Sequence, residues 1–134
     1  MTTAYCDSCV YRDYYEWRPG FAWLHYGEEA KKLFDNIDNG EYSLVVSDHL
    51  DFQLKGFPQY QEYITKLRGK NKLVELAVTS ADKRNAKQED TEYEDALHAH
   101  LAIRGKAQYL VTDNIEHFGV FEGRIKVRRP ENVY

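Results

Sequence analysis

The sequence predicts an α/β domain with a mainly parallel sheet, and three observations carry that expectation. Short apolar, β-prone runs recur at Thr3–Cys6, Tyr42–Val46, Lys72–Thr79 and Tyr109–Thr112. Segments with helical spacing separate them: Ala30, Leu33, Phe34 and Ile37 fall at i, i+3, i+4 and i+7. Strands alternating with helices are the signature of parallel pairing through crossovers. The third observation is positional. Asp7-Ser8 and Asp113-Asn114 stand immediately past the first and the last of those runs. In open parallel sheets ligands bind at the carboxyl ends of the strands.

Taken in order, the first strand runs into Asp7 and Ser8, either of which can cap a helix beginning near Cys9. That helix carries Val10, Tyr11, Tyr14 and Tyr15 and must stop before Pro19. An aromatic-rich turn or short helix follows over 20–27, then a helix over 28–37 closed by Asn39-Gly40. Ser47 reads as the N-cap of a helix with Leu50, Gln53 and Leu54, broken by Gly56 and Pro58. A helical piece spans 60–67, and 82–90 reads as a loop or an exposed helical turn. Thr91 with Glu94 has the spacing of a capping box, so a helix should start there, with Tyr93, Leu97 and Leu101 on one face. Gly105 should end it in a left-handed conformation. The alternating stretch Arg124–Arg129 suits an edge strand ended by Pro130.

At 134 residues the chain is expected to form one domain over 1–134, with a core of its own. Hydrophobic content of 43% argues against disorder, and a net charge of −4 excludes a generally basic nucleic-acid binder. No apolar run reaches the roughly 18 residues of a membrane span, so no membrane partner is expected. The start of the chain lacks a secretory pattern, and two cysteines make no disulfide framework; a cytoplasmic setting is expected.

If the first and last core strands are neighbours, Asp7, Asp95 and the residues after Thr112 converge on one rim. Clustered carboxylates repel one another, and a divalent cation between them relieves the repulsion. Mg²⁺ or Mn²⁺ suits oxygen ligands and can turn a bound water into a nucleophile.

These residues resemble the PIN-domain nucleases, the fold of the VapC-type toxins, over most of the chain. The likeness is strongest in Asp95-Ala96-Leu97-His98 and in Tyr109–Phe118. Weaker likenesses lie in Tyr5–Val10, in the Ser47–Leu54 helix and in the ending Lys126–Glu131. The resemblance implies a sheet of about five strands sandwiched between helices, and Mg²⁺- or Mn²⁺-dependent cleavage of single-stranded RNA. It also implies the place of a toxin beside an antitoxin protein. It assigns Asp7 and Asp95 to the metal, and Ser8 to orienting Asp7 or a metal water. The chain departs from the family at two places. Gln53 stands where the second motif carries Glu. Asn114 and His117 stand where an Asp is usual, two or five residues after Thr112. Asp113 and Glu116 are the nearby acids that can substitute, acting through water. A non-cleaving RNA- or protein-binding module on the same fold is the alternative.

Other features support competing chemistries. Cys6 and Cys9 form a C-x-x-C between a strand and a helix, the context of a thiol–disulfide site. The histidines 25, 49, 98, 100 and 117 lack zinc-site spacing. Basic clusters at Arg68-Lys70-Lys72, Lys83-Arg84-Lys87 and Arg124-Lys126-Arg128-Arg129 are alternatives for holding phosphate. The aromatics Tyr14, Tyr15, Trp17, Phe21 and Trp23 suit core packing, base stacking, or a docking face for a second copy or an antitoxin.

Overall fold

The computed structural model describes residues 2–20 and 23–133. Strands β1 (Thr2–Cys6), β2 (Tyr42–Ser47), β3 (Leu73–Leu76), β4 (Tyr109–Val111) and β5 (Lys126–Arg128) form one sheet in the order β3-β2-β1-β4-β5. All four pairings are parallel, as the alternation of elements requires. Helices α1 (Ser8–Tyr15) and α2 (Tyr26–Asn39) connect β1 to β2, and α3 (Asp48–Gln53) and α4 (Pro58–Gly69) connect β2 to β3. Helices α5 (Ser80–Lys87) and α6 (Tyr93–Arg104) lead to β4. The short α7 (Ile115–Phe118) and a 3₁₀ turn then lead to the edge strand β5.

Strand β1 is central and buried at Ala4, Tyr5 and Cys6. The chain leaves β1 towards β2 and comes back to its other side as β4, so the strand order reverses at β1. That reversal opens a crevice beyond the carboxyl ends of β1 and β4. The register places Cys6 opposite Val111, and the Asp7 amide donates to the Val111 carbonyl at 3.0 Å, so Asp7 and Thr112 emerge side by side. Alternation along β1 sends Tyr5 to α6, where it meets His98. Helices α1, α2 and α4 interlock through aromatic rings: Tyr11 stacks on Phe34 at 4.9 Å and meets Tyr60 edge-on at 5.0 Å.

Several local expectations are corrected. Helix α6 begins at Tyr93 with Glu92 at its N-cap, and the Thr91–Glu94 capping box does not form. The Glu94 carboxylate is bonded to Gln53 instead. A capping box does form upstream, between Thr79 and Asp82, and it starts α5 where a loop or a single turn had been expected. Gly105 is right-handed, and the left-handed residue is Lys106, with φ 59°. Gly105 is needed for space: a Cβ there would lie 2.7 Å from Val45 Cγ1 and 3.1 Å from Leu76 Cδ1. Pro58 opens α4 as well as following the break after α3. Helix α2 starts at Tyr26, capped by the His25 imidazole accepting from the Glu28 amide. Phe21, counted among the aromatics above, lies outside the described residues. Tyr14 and Tyr15 pack on the core, but Trp17 and Trp23 are exposed.

Candidate metal centre at the carboxyl ends of β1 and β4

Asp7 is the N-cap of α1. One of its oxygens accepts from the Val10 amide at 3.3 Å, and the other accepts from the Thr112 hydroxyl at 2.8 Å. Thr112 is itself fixed, because its Oγ1 accepts from the Asn114 amide at 2.9 Å. Burial pushes the Asp7 carboxyl up to about 7, against the pull of those two hydrogen bonds, and the nearby Asp113 and Asp95 charges add to the rise.

Asp95, in the first turn of α6, faces Glu92 and His117. One ligand atom from each of these three lies within 4.8 Å of the others. His117 Nδ1 approaches Asp95 Oδ2 at 3.4 Å, outside hydrogen-bond geometry, so this solvent-shielded oxygen has no hydrogen-bond partner. Burial and then Glu92 raise the Asp95 carboxyl, and His117 opposes them. A cation resolves this arrangement: two carboxylates and one imidazole can coordinate a divalent metal. Among the described residues this is the one group of three such ligands. It gathers Asp95 with Glu92 and His117, where the sequence had suggested Asp95 with Asp7.

Asp113 brings a residue that the sequence reading passed over. Its carboxyl meets that of Asp13, in the body of α1. Burial and this contact push the Asp13 carboxyl up to about 9. Asp13 follows Asp7 by six residues, a spacing with no motif of its own, and only the fold brings it to the end of β4. Glu92 was missed for a related reason, since the expected start of α6 put it inside a capping box. Asp113, Asn114, Glu116, His117 and Arg129 line an open groove of about 490 Å³. Arg129 lies 3.8 Å from Asp113 and packs over the Tyr26 ring. Glu116 is exposed on this groove. Ser8 is the first residue of α1, half-buried beside Asp7.

Gln53 stands outside this cluster, in a chain of polar contacts that runs from the exposed Glu94 into the core. Its amide nitrogen donates to Glu94 Oε2 at 3.1 Å, so its carbonyl faces His98 Nε2 at 2.8 Å. A carboxylate can only accept, and that fixes every later direction. His98 donates from Nε2 and accepts at Nδ1 from the Tyr5 hydroxyl at 2.6 Å. Tyr5 then accepts from Ser47 at 3.2 Å, and Ser47 accepts from the Leu50 amide. Burial, helped by His49, holds His98 neutral, down to about 3. His98 and His100 diverge, as their spacing required: His100 bonds Glu89 at 3.0 Å.

Two of the competing chemistries lose support here. Cys6 is fully buried, and burial with Asp7 and Asp113 raises its thiol well above the ordinary range. Burial and Asp7 push Cys9 up to about 11, so neither sulfur is poised as a thiolate at neutral pH. The first basic cluster serves the fold: Lys72 donates to the Ile37, Asp38 and Gly40 carbonyls at the end of α2, Lys70 pairs with Asp38 and Arg68 with Glu75. In the third cluster Arg124 pairs with Glu89 and Arg128 with Glu122, and Arg129, paired with Glu131, borders the groove.

No family model matches the sequence, and no curated protein does. Among the described residues, no helix is long and apolar enough to cross a membrane. Among solved structures the chain is similar to VapBC2 from Rickettsia felis bound to a DNA fragment from their promoter. The TM-score is 0.53 at 12% identity, covering 96% of this chain and 97% of that one. At this identity the likeness shows the fold: an α/β domain of PIN-like architecture with a parallel five-stranded sheet between helices.

Proposed function

We propose that this protein is a divalent-metal-dependent endoribonuclease acting on single-stranded RNA, working as the toxin of a toxin–antitoxin pair. The observation that carries the reading is the convergence of Glu92, Asp95 and His117 at the carboxyl end of the sheet, with an Asp95 oxygen shielded from solvent and met only by the His117 ring nitrogen at 3.4 Å. A bound Mg²⁺ or Mn²⁺ supplies a water of lowered pKa and polarises the phosphodiester. Glu92, Asp95 and His117 hold the ion. Asp7, with a carboxyl pushed up to about 7, is suited to take the proton of the attacking water near neutral pH, and Thr112 keeps it aimed at the rim. Ser8 orients Asp7, and Asp113 or Glu116 assists through water. Arg129 presents its guanidinium to a phosphate lying in the groove.

The test is cleavage of a fluorescently labelled single-stranded RNA pool in Mn²⁺. Wild type should cut it, and Asp95→Asn should lower the rate by at least about 100-fold, with His117→Ala intermediate. A folded wild type that binds Mn²⁺ and leaves every RNA intact would overturn the reading.

A second reading, a non-cleaving RNA- or protein-binding module, is favoured by Gln53. Its side chain is committed to His98 and Glu94, so this position of α3 brings no charge to the metal centre. RNA binding without cleavage in the same assay would select it.

A further inference from the structure

The residues that join α1 to α2 play no part in the metal centre, yet they hold a tryptophan in a costly position. Trp17, just past α1, has φ 52°, a left-handed backbone that bulky side chains seldom adopt. Backbone bonds impose it: the Trp17 amide donates to the Tyr14 carbonyl at 3.2 Å, the Arg18 amide to the Asp13 carbonyl at 2.9 Å, and the Gly27 amide to the Arg18 carbonyl at 3.0 Å. The Trp17 ring lies against the first turn of α2, where Gly27 leaves it room. A Cβ there would lie 3.0 Å from Trp17 Cα and 3.1 Å from Trp17 Cε3. The His25 ring stands beside it, 5.0 Å between centroids and tilted by 48°. His25 is fixed in turn, because its Nδ1 accepts from the Glu28 amide at 3.1 Å. An imidazole that accepts at Nδ1 carries its proton on Nε2, and this donor has no partner among the described residues. For all this support, Trp17 remains 46% exposed. Strain of this kind persists where the surroundings over-determine it, and it gathers at ligand sites.

Tyr26, between His25 and Gly27 in the chain, carries the Arg129 guanidinium 5.2 Å from its ring centre, and Arg129 borders the groove with Asp113 and His117. The tryptophan thus stands next to the cation that the proposed function assigns to a phosphate. We propose that Trp17 stacks on one base of a single-stranded RNA whose phosphate lies against Arg129, with His25 Nε2 donating to the stacked nucleotide. Every base has a π-face, so a ring held this way grips single strands of any sequence. The bases of a duplex are already stacked on one another, so the same ring favours single strands. Trp23 does not serve: it is 91% exposed and makes no ring contact among the described residues, so binding would have to order it. Nor is Trp17 the centre of an apolar patch that a protein would cover, since its chain neighbours Glu16 and Arg18 form an ion pair at 2.6 Å. The inference rests on the proposed function for the class of ligand. Its location rests on Trp17, His25 and Arg129.

Trp17 and Trp23 are the two tryptophans of the chain, so Trp23→Phe leaves Trp17 as the one tryptophan fluorophore. Its emission is titrated with a short dye-labelled single-stranded oligouridylate and with an abasic sugar-phosphate strand of the same length. Both titrations contain Ca²⁺, an oxygen-seeking ion that screens the acidic rim. The RNA should quench Trp17 as it binds, and the abasic strand should not. By anisotropy of the labelled RNA, Trp17→Gly, which suits a left-handed backbone, should bind at least about fivefold more weakly than wild type. His25→Asn keeps a capping side chain and should weaken binding by a smaller factor. RNA that binds with no quenching of Trp17 would overturn the inference and leave the proposed function standing. That result needs no variant of Trp17, so a folding defect in Trp17→Gly leaves the test decisive. Equal affinity of wild type and folded Trp17→Gly would also overturn the inference. Trp17 emission that responds to protein concentration in place of RNA would do so too, making the ring an interface between copies of the chain. No binding of RNA at all would overturn it together with the proposed function.

Discussion

Tyr5 and Asp7 lie two residues apart at the end of one strand, yet they belong to opposite kinds of polar structure. From Tyr5 a chain of contacts runs through His98 and Gln53 to Glu94, and through Ser47 to the Leu50 amide. Every link in it has a donor facing an acceptor. Around Asp7 the groups are carboxylates, and Asp13, Asp95 and Asp113 each keep a shielded oxygen without a donor. A satisfied buried network makes a core specific. An unsatisfied one costs stability unless a ligand completes it. The difference teaches where to look for function: the same strand end supplies both, and the half that folding leaves incomplete is the half suited to bind.

The largest effect should come from breaking the satisfied half. His98→Ala leaves the Tyr5 hydroxyl proton and the Gln53 carbonyl without a partner and opens a cavity. It should cost roughly 3 kcal/mol in urea unfolding. Combining His98→Leu with Tyr5→Phe removes both partners and should cost clearly less, and equal losses would contradict the network.

The acidic half sets the pH response. Asp7, raised to about 7, keeps in the folded chain a proton that an unfolded carboxyl loses near pH ~4, so its contribution makes stability fall as pH rises from ~4 through 7. Asp13, pushed up to about 9 by burial and by Asp113, shifts in the same direction and extends the fall to higher pH. His98, lowered to about 3, acts in reverse: the unfolded imidazole takes a proton below pH ~6.5, so its contribution is lost as pH drops from there towards 3. His49, also lowered by burial, acts with His98 below pH ~6.5 and offsets the acids there; above it only the raised acids act. Metal-free protein should therefore lose on the order of 1 kcal/mol per pH unit at the steepest part. Saturating Mn²⁺ should flatten the curve. Unfolding midpoints at a series of pH values, with chelator and with Mn²⁺, would reveal a flat metal-free profile if this account is wrong.

A smaller change separates the two halves by sign. Asp95→Asn relieves repulsion, so metal-free stability should hold or rise by up to about 1 kcal/mol, while the stabilisation by Mn²⁺ drops. A loss like that of His98→Ala would mean that Asp95 belongs to the satisfied half. The smallest expected effect is Thr112→Val. It removes one donor to Asp7, and nuclear magnetic resonance titration should place the Asp7 carboxyl higher than in wild type.

The sheet was legible in the sequence because four strands lie in compact β-prone runs and β5 alternates as an edge strand does, and the rim because Asp7 and Thr112 directly follow β1 and β4. The helix ends were less legible. Thr91 with Glu94 and Thr79 with Asp82 have the same spacing, and only tertiary contacts decide between them: Gln53 draws Glu94 away, while Arg104 binds Asp82 and steadies the box that forms. Gly105 shows a related ambiguity, since a glycine serves a turn or a close approach equally well, and here Val45 decides. In the site, Asp95 carried a motif. Asp13, Glu92 and His117 are brought to the rim from three elements by the fold. Gln53 was read against the acid it replaces, and its engagement with His98 becomes visible only once α3 is seen to pack beside α6.

The central claim is that the unpartnered carboxylates of this rim form a metal centre. The most direct test is an anomalous difference map from crystals soaked in Mn²⁺. A peak in contact with Glu92, Asp95 and His117, absent in Asp95→Asn crystals, is the result expected. A well-ordered rim with no peak among those three residues at saturating Mn²⁺ would contradict the account.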